Sequence, residues 1–482
     1  MASLDRALVG GIAWTGAARW FTQVLSWAST IVVARLLTPR DYGLLGMATV
    51  YTGIVALANE FGLSAALVQV RDLDEQRRAT IGGLAVALGF LFFAVSAAVA
   101  GPVSAFFGER AVRDIIIVLS TTFIVTGFRV LPYALLSRDL EFRRLARIDG
   151  ATAVLGTAAT LTLAAIGYRY WSLVFGSVLA MVASTALSVA ARPHRLAWPR
   201  NLGSVIGPVK LGWNVTVTRL TWYVYSNADF AVVGRVLGSN ALGAYTFGWQ
   251  MASIPVDKVS TVLGAVALPV FSKVQDDRPA LRRYVTRLTE GLAIVTFPLA
   301  IGLALVADYV VLVALGPRWQ AAIAPLRLLA LYAGFRSVMA LLPQVLTAIG
   351  RASWAMWVGI VLALVLPASF YVGTGWGTSG VAVAWIIMYP VIVVPMLLMY
   401  TLRAIGLPLR EYLLTLWPAT SGTLVMVGLV LVMRMLLPSG WPQAGLLGLL
   451  VGSGAAAYLA TLWLLHASRV RALTGLLRSL RS

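Results

Sequence analysis

The feature that most constrains this fold is a stretch that occurs twice. Residues 19–43 align with residues 219–243 at a constant offset of 200 and without a gap. Identical pairs include Arg19 and Arg219, Ser26 and Ser226, Val32-Val33 and Val232-Val233, Arg35 and Arg235, Leu37 and Leu237, and Gly43 and Gly243. Each copy reads as a long apolar helix with a tight turn behind it. The chain is therefore expected to contain two homologous halves, which in membrane proteins usually frame a transport path.

The turn that ends the first copy carries a helix-start signal. Thr38 supplies an N-cap, Pro39 suits the first helical position, and Asp41 places a carboxylate at the third. A second helix is therefore predicted to begin directly after the first. Ser239 is the predicted cap of the matching helix in the second half.

Composition places these helices in a membrane. Of 482 residues, 60% are hydrophobic and 12% charged, and the mean hydropathy is +0.86, far outside the range of soluble domains. About fourteen segments are long enough to span as helices. They lie near residues 12–34, 43–65, 80–101, 114–136, 150–167, 171–191, 211–235, 242–268, 288–314, 322–347, 353–372, 379–400, 413–433 and 444–466. The chain is therefore predicted to be an all-α integral membrane protein.

The repeat and the spans together predict the domain organisation. Residues 1–200 and 201–402 are expected to form two pseudo-symmetric six-helix lobes. Residues 403–482 are expected to add two further helices and a basic amphipathic tail, in which Val470, Leu473, Leu477 and Leu480 share one face. This tail suits either a helix lying on anionic headgroups or simple positive-inside anchoring.

The net charge of +20 comes from basic residues whose distribution along the chain indicates the orientation of the helices in the membrane. In a soluble protein it would suggest nucleic acid, but here 24 of the 38 Lys and Arg residues fall in segments on the N-terminal side of the membrane. Both termini are therefore predicted to be cytoplasmic, and no nucleic-acid partner is expected. The first apolar segment carries the repeat and has no small-residue cleavage site, so it is predicted to be a retained helix and not a signal peptide.

Enzymatic chemistry finds little support in this sequence. The chain has no cysteine and two histidines, and no Walker A pattern occurs. The Asp72-x-Asp74 pair lies in a mixed-charge loop and is best interpreted as a solvated turn. We expect neither catalysis, a cofactor nor a metal site.

Polar residues along the repeated helices instead indicate a cavity. Arg19, Gln23 and Ser26 are spaced four and three apart, so they share one helix face. The second copy adds a larger set of polar side chains: Thr221, Tyr223, Tyr225, Asn227 and Asp229. Gln23, Ser26, Tyr223, Ser226 and Asn227 are candidate cavity or sugar-contacting residues.

Four arginines are candidates for an anion site. Arg19 and Arg219 are matched by the repeat, and Gly127-Phe128-Arg129 is echoed by Gly334-Phe335-Arg336 at an offset of 207. A charge within a span costs roughly 2.5–3.5 kcal/mol on insertion scales, so it tends to be kept where it meets water, a counter-charge or a substrate. Arginine binds phosphate through a planar fork, which suits a diphosphate. Snorkelling or structural ion pairing is the alternative.

Four charged residues in or near the spans are candidates for ion coupling. They are the carboxylates Asp229, Glu60 and Asp257, and Lys258, the neighbour of Asp257. A carboxylate without a fixed partner in a cavity can titrate or bind a cation. Asp257 and Lys258 also fit a self-neutralising pair beside the kink at Pro255.

Several motifs resemble one family. The runs Ala34 to Gly43 and Glu60 to Gln69 are similar to the polysaccharide exporter family of bacterial lipid-linked oligosaccharide flippases, nearest its colanic-acid and teichuronic-acid exporter branch. Further similar motifs are Asn227-Ala228-Asp229, Val233-Gly234-Arg235, Leu242 to Tyr245, Pro269 to Lys273, and Pro343 through Gly350-Arg351.

The resemblance implies the multidrug/oligosaccharidyl-lipid/polysaccharide exporter fold, with two lobes in a V and alternating access. It implies export of an undecaprenyl-diphosphate-linked glycan to the outer leaflet of the bacterial inner membrane, for exopolysaccharide or cell-surface polysaccharide. The expected partners are that glycan lipid, membrane lipids, and a polymerase or export machinery. The alternatives are a cation-coupled multidrug exporter, a peptidoglycan-precursor flippase and a non-transporting scaffold. Arginines outnumber carboxylates in the spans, which argues against the first.

Overall fold

The computed structural model describes residues 28–60, 74–198, 206–437, 441–467 and 469. Every regular element in these ranges is helical. Eleven stretches there are long and apolar enough to cross a membrane, and three of them are interrupted by a break in the helix. The predicted class, an all-α multi-pass membrane protein, is confirmed. The count of about fourteen and the V arrangement stay predictions.

The chain divides into two compact units, Met1–Gly243 and Ala244–Ser482. The predicted lobe boundaries at 200/201 and 402/403 stay predictions. The helices of the first unit are α1 (28–36), α2 (Pro39–Glu60), α3 (Glu75–Phe107), α4 (Ala111–Arg138), α5 (Phe142–Ala165), α6 (Tyr170–Ala191) and α7 (206–237). Helix α8 (239–273) continues from α7 after a break at Gly238, where φ is 83° and ψ is 177°.

The second unit contains the rest of α8 and nine further helices. They are α9 (Arg278–Leu305), α10 (Ala307–Ala314), α11 (Ile323–Met339), α12 (Leu342–Ala348), α13 (Ala352–Gly373), α14 (Gly377–Val393), α15 (Tyr400–Ile405), α16 (Leu409–Leu436) and α17 (Gln443–Leu465). A π-helical turn, Val394–Met399, joins α14 to α15. It follows Pro390 and contains Pro395, and prolines disrupt the regular helical hydrogen bonds in this way.

The predicted helix start at Thr38 is confirmed. The Asp41 carboxylate accepts hydrogen bonds from the Thr38 backbone N–H at 2.9 Å and the Thr38 hydroxyl at 2.6 Å. The Asp41 N–H donates back to the Thr38 hydroxyl at 3.4 Å, which completes a capping box. The second Asp41 oxygen accepts from the Tyr170 N–H at 3.2 Å, so one carboxylate caps the starts of both α2 and α6.

The matching start of α8 uses its serine differently. The Ser239 hydroxyl donates to Glu109 Oε1 at 2.7 Å, and Arg40 holds the other Glu109 oxygen at 3.3 Å. Both interactions tie the starts of α2 and α8 to the turn between α3 and α4. The predicted capping role of Ser239 is thus replaced by a bond across helices.

The first turns of α2 and α8 pack on each other reciprocally. A Cβ on Gly43 would overlap the carbonyl oxygen of Ser239, and a Cβ on Gly243 would overlap the carbonyl oxygen of Pro39. Each contact becomes the other when 200 is added to or subtracted from the residue numbers. The repeat read from the sequence is therefore a local two-fold relation in space, as in an isologous interface. Small residues permit this approach because backbones can meet directly.

The last two helices are integral to the second unit. Helices α16 and α17 pack on each other and on α9, around a buried apolar cluster of Val306, Met426, Val430, Leu450, Tyr458 and Leu462. The Tyr458 hydroxyl donates to the Ile294 carbonyl at 2.6 Å. Arg434 bonds to the Leu305 carbonyl and to Asp308, both at 2.5 Å. Side-chain bonds to free carbonyls lock α16 beside the end of α9.

Helix α9 begins ten residues before the predicted span 288–314. The Asp277 carboxylate accepts from the Ala280 N–H at 3.0 Å and caps it, and the helix ends at Leu305, before the short α10. The basic segment from Asp276 to Glu290 therefore continues into the membrane helix. Sequence periodicity could not reveal this, because the hydrophobic window begins only where the charges stop.

Candidate functional site

Arg336 lies at the centre of a polar and aromatic site in the second unit. Its guanidinium is 2.5 Å from Asp257 Oδ1, and it lies over the rings of Trp249 at 5.7 Å and Tyr332 at 5.8 Å. The Arg336 side chain is 25% exposed and that of Asp257 is 52% exposed. The arginine thus lies near two aromatic rings and is neutralised by a carboxylate that is half exposed.

Two helices supply these four groups. Tyr332 and Arg336 are four residues apart on α11, so they share one helix face. Trp249 and Asp257 lie on α8, about two turns apart, on either side of Pro255. The predicted alternative, a pair between Asp257 and its neighbour Lys258, is not what the structure contains. Lys258 is exposed, and Asp257 pairs across helices with Arg336.

An aromatic cluster supports the site from behind. We define it as Trp249, Tyr332, Phe370, Trp385 and Tyr389. The centroid of the Trp385 ring lies 4.8 Å from that of Tyr332, 5.5 Å from that of Trp249 and 4.9 Å from that of Phe370. Tyr389 packs edge-on against Tyr332, with the ring centroids 5.2 Å apart. Such pairs are each worth about 0.5–1.5 kcal/mol beyond the area they bury. The cluster fixes the two rings on which Arg336 lies.

The sequence analysis missed most of this cluster. The aromatic candidate that it did name for a cavity, Tyr223, lies on α7 and not in this cluster. A usable signal existed: Trp385 and Tyr389 are four residues apart on α14, as Tyr332 and Arg336 are on α11. Nothing in the sequence says that these two faces meet, however.

Arg129 lies in a simpler site in the first unit. Its guanidinium is 4.8 Å from the centre of the Tyr133 ring, one turn along α4. The Tyr133 hydroxyl lies 3.3 Å and 3.4 Å from the two oxygens of Asp149 on α5. Arg129 and Arg336, the two arginines matched at an offset of 207, therefore each lie on a tyrosine four residues away.

The polar face of α7 is largely engaged in packing. The Tyr223 hydroxyl donates to the Thr49 carbonyl on α2 at 2.9 Å, over Gly53, where a Cβ would overlap it. Asn227 Nδ2 donates to the Tyr223 carbonyl at 2.9 Å and to Ser226 Oγ at 3.2 Å. The Tyr223 bond holds α7 against α2, and the two Asn227 bonds connect the three predicted cavity residues within α7.

Asp229 is fully buried in the same helix. One of its oxygens accepts from the Phe230 N–H at 2.9 Å. The remaining predicted site residues lie outside what can be described. Arg19, Gln23 and Ser26 fall before residue 28, and for Glu60 and Arg219 only the backbone is described. Their predicted roles stay predictions.

The Arg336 site contains groups that could bind an anion. A guanidinium stacked on rings keeps its edge N–H groups available in one plane, where they can bind a carboxylate or a phosphate. Asp257 is half exposed, so an incoming anion could approach the pair from that side. In the described part of the chain no group of His, Cys, Asp and Glu could hold a metal ion.

Comparisons with known proteins agree with the motifs. The chain is 23% identical over 422 residues to the lipopolysaccharide biosynthesis protein WzxC of Escherichia coli (strain K12), covering 86% of this chain and 85% of that protein. It is 26% identical over 390 residues to the teichuronic acid biosynthesis protein TuaB of Bacillus subtilis (strain 168), covering 80% of each.

The fold is similar to that of a solved transporter. The structure of the lipid II flippase MurJ in an inward closed conformation superposes with a TM-score of 0.78 at 13% identity, covering 95% of this chain and 99% of that one. Residues 32–324 match the family described as "Polysaccharide biosynthesis protein". The resemblance inferred from the sequence motifs is thereby confirmed, and the chain belongs to the polysaccharide biosynthesis protein family.

Proposed function

We propose that this protein is a flippase for an undecaprenyl-diphosphate-linked oligosaccharide. It would carry this lipid from the cytoplasmic to the outer leaflet of the bacterial inner membrane by alternating access, for exopolysaccharide or cell-surface polysaccharide synthesis. Both termini would be cytoplasmic, as the distribution of basic residues indicates. The names of the relatives in polysaccharide biosynthesis support the substrate class.

One observation carries the proposal. Arg336 lies within a membrane helix, stacked on two rings and held by a carboxylate that is only half buried. A purely structural arginine would gain from a buried partner, whereas a binding site needs a partner that leaves. The diphosphate offers two charged groups in place of one, so it can take the guanidinium from Asp257. The neighbouring rings suit the apolar faces of sugars.

Displacement of Asp257 also suggests how transport is coupled. Once Arg336 binds the diphosphate, the Asp257 carboxylate loses its cation and becomes free to take up a proton or a metal cation. Return of Asp257 to Arg336 would then release the substrate on the other side. Asp229 and Glu60 remain further coupling candidates.

Complementation of a strain lacking the gene tests the proposal. Arg336→Ala should abolish export and accumulate lipid-linked glycan, because the loss of one charged hydrogen bond costs about 1.5–3 kcal/mol. Arg336→Lys should restore export only in part, since an ammonium group cannot reproduce the planar fork. The predicted partners Arg19, Arg129 and Arg219 should behave alike. Arg327→Ala is the matched control, because Arg327 lies on the same helix, 3.9 Å from Asp308.

Normal export by Arg336→Ala at wild-type membrane levels would overturn this assignment. The leading alternative is then a cation-coupled multidrug exporter, which the neutralisation of Arg336 by Asp257 favours. Drug efflux from cells that still make normal polysaccharide would identify it. A peptidoglycan-precursor flippase, suggested by the likeness to MurJ, would instead rescue cells depleted of their own lipid II flippase.

A further inference from the structure

A second polar cavity lies in the second unit, outside the Arg336 site. Its volume is about 360 Å³, roughly the space of a dozen water molecules at ~30 Å³ each. It opens where α9 and α16 begin and where α17 ends. Seven side chains of mixed chemistry line it: Thr286, Arg287, Glu290, Leu414, Glu411, Thr415 and Arg469.

Two sides of this cavity are each lined by residues that share one face of a helix. Thr286, Arg287 and Glu290 lie within one turn of α9. Glu411 and Thr415 are four residues apart in the first turns of α16 and so point the same way. The Arg469 side chain, just beyond α17, closes the third side. The chain thus places charged groups on three elements that meet at a membrane helix end.

Two arginines and two glutamates line the cavity, so its formal charges balance. Glu290 is buried, with 7% of its side chain exposed, and Arg469 Nη1 is 3.5 Å from its Oε1. Arg287 and His466 also lie close enough to Glu290 to interact with it electrostatically. The His466 Nε2 is 2.9 Å from the Ser421 hydroxyl. Glu411, on α16, is exposed. Besides the buried Glu290, the lining therefore carries two guanidinium groups, those of Arg287 and Arg469, and one exposed carboxylate, that of Glu411.

We propose that this cavity binds the headgroup of phosphatidylethanolamine, a lipid whose phosphate and primary ammonium are complementary to the guanidinium groups and the exposed carboxylate of the lining. The phosphate would lie on Arg287 and Arg469, and the ammonium on Glu411. The position supports a lipid: the lining residues belong to the ends of membrane-spanning helices, where headgroups lie. This site is independent of the proposed transport substrate.

The ammonium distinguishes this headgroup from its neighbours in a bilayer. A primary ammonium donates three hydrogen bonds, which a carboxylate accepts. The quaternary ammonium of phosphatidylcholine has no N–H to donate. Phosphatidylglycerol carries the phosphate without a cation, so Glu411 would repel it. The cavity should therefore bind phosphatidylethanolamine more tightly than either phosphatidylcholine or phosphatidylglycerol.

Native mass spectrometry of the purified full-length protein tests the site. Phosphatidylethanolamine, phosphatidylcholine and phosphatidylglycerol with identical acyl chains are titrated separately. The wild type should retain the first at about tenfold lower concentration than either of the others. Arg287→Gln and Glu411→Gln should each remove most of that difference, and Arg287→Lys should keep part of it. Soluble glycerophosphoethanolamine should displace the bound lipid, and inorganic phosphate at equal concentration should not.

Two matched controls keep the test specific. Arg283→Gln removes an exposed arginine one turn earlier on α9, beside Tyr284. Glu75→Gln removes an exposed first-turn carboxylate from α3, the counterpart of Glu411 in α16. Both should retain the wild-type preference. Equal retention of the three lipids, an unchanged preference in both cavity variants, or displacement by inorganic phosphate would each overturn the proposal.

Discussion

At the start of α2, Gly43 lies against the Ser239 carbonyl, and at the start of α8, Gly243 lies against the Pro39 carbonyl in the same way. The arginines matched between the halves are less alike. Arg129 and Arg336 each lie on a tyrosine, but only the second is seen paired directly with a carboxylate, Asp257. Backbone contact has thus kept the repeat where side-chain chemistry has diverged.

The difference has a physical reason. Direct backbone contact leaves no room for a side chain, so it constrains both copies equally. An arginine on an aromatic ring leaves its edge free to find a partner, and the partner depends on which helices lie nearby. In the described residues, the second unit therefore has the matched arginine that is paired with a carboxylate. We expect export to require both arginines, but to depend more on the groups around Arg336 than on the groups around Arg129.

The largest effect is expected at the reciprocal glycines. Gly43→Val and Gly243→Val should each destabilise the protein by about 3 kcal/mol or more, because the new side chain would overlap a backbone carbonyl. The yield of monodisperse protein and its apparent unfolding temperature in detergent measure this. Gly101→Ala is the control, since a Cβ there meets nothing within 4 Å. Clearly different unfolding temperatures of the two valine variants would show that the two glycine contacts are not equivalent.

A smaller effect is expected from the rings beneath the two arginines. Trp249→Leu should cost about 2 kcal/mol, because it removes contacts with Tyr332 and Trp385 as well as with Arg336. Tyr133→Leu should cost about 1 kcal/mol, since leucine can keep part of the packing on the neighbouring apolar cluster while the cation–π contact and the hydrogen bond to Asp149 are lost. Thermal unfolding in one detergent compares them. The reverse ranking would show that the aromatic cluster does not organise the second site.

The smallest effect should come from the carboxylates. Asp257→Asn should cost about 1 kcal/mol, because it removes a charge from a partly exposed pair. Asp149→Asn should cost less than about 0.5 kcal/mol, since an amide oxygen still accepts from Tyr133. The same unfolding assay at low and high salt checks the order, and the loss in Asp257→Asn should shrink with salt. Equal losses would mean that the two arginine sites are electrostatically alike.

Much of the fold could be read from local pattern. The capping box at Thr38 and Asp41 needs only residues three apart, and it is present as predicted. The start of α9 was misjudged, because its charged first turns look like a surface segment until Asp277 is seen to cap a continuous helix. Ser239 was misjudged because its partner, Glu109, is 130 residues away.

The sequence analysis named some residues of the candidate site but did not predict which of them contact each other. Arg336 and Asp257 were both named, but their pairing spans 79 residues and was replaced in the sequence analysis by the adjacent Lys258. Tyr332, Trp385 and Tyr389 were missed, because an aromatic residue in an apolar helix carries no mark of the face that it presents. The polar stripe of α7 was found, and its bond to α2 through Tyr223 was not.

The sequence by itself determined that this chain is an all-α membrane protein with a repeat, because hydrophobicity, helix caps and repeat spacing are local or periodic properties. Only the tertiary structure decided which side chains meet. The Arg336 site needs α8, α11 and α14 together, and the second cavity needs α9, α16 and the end of α17. The rotation of each helix about its axis sets these contacts, and that rotation is fixed by packing between helices distant in the chain.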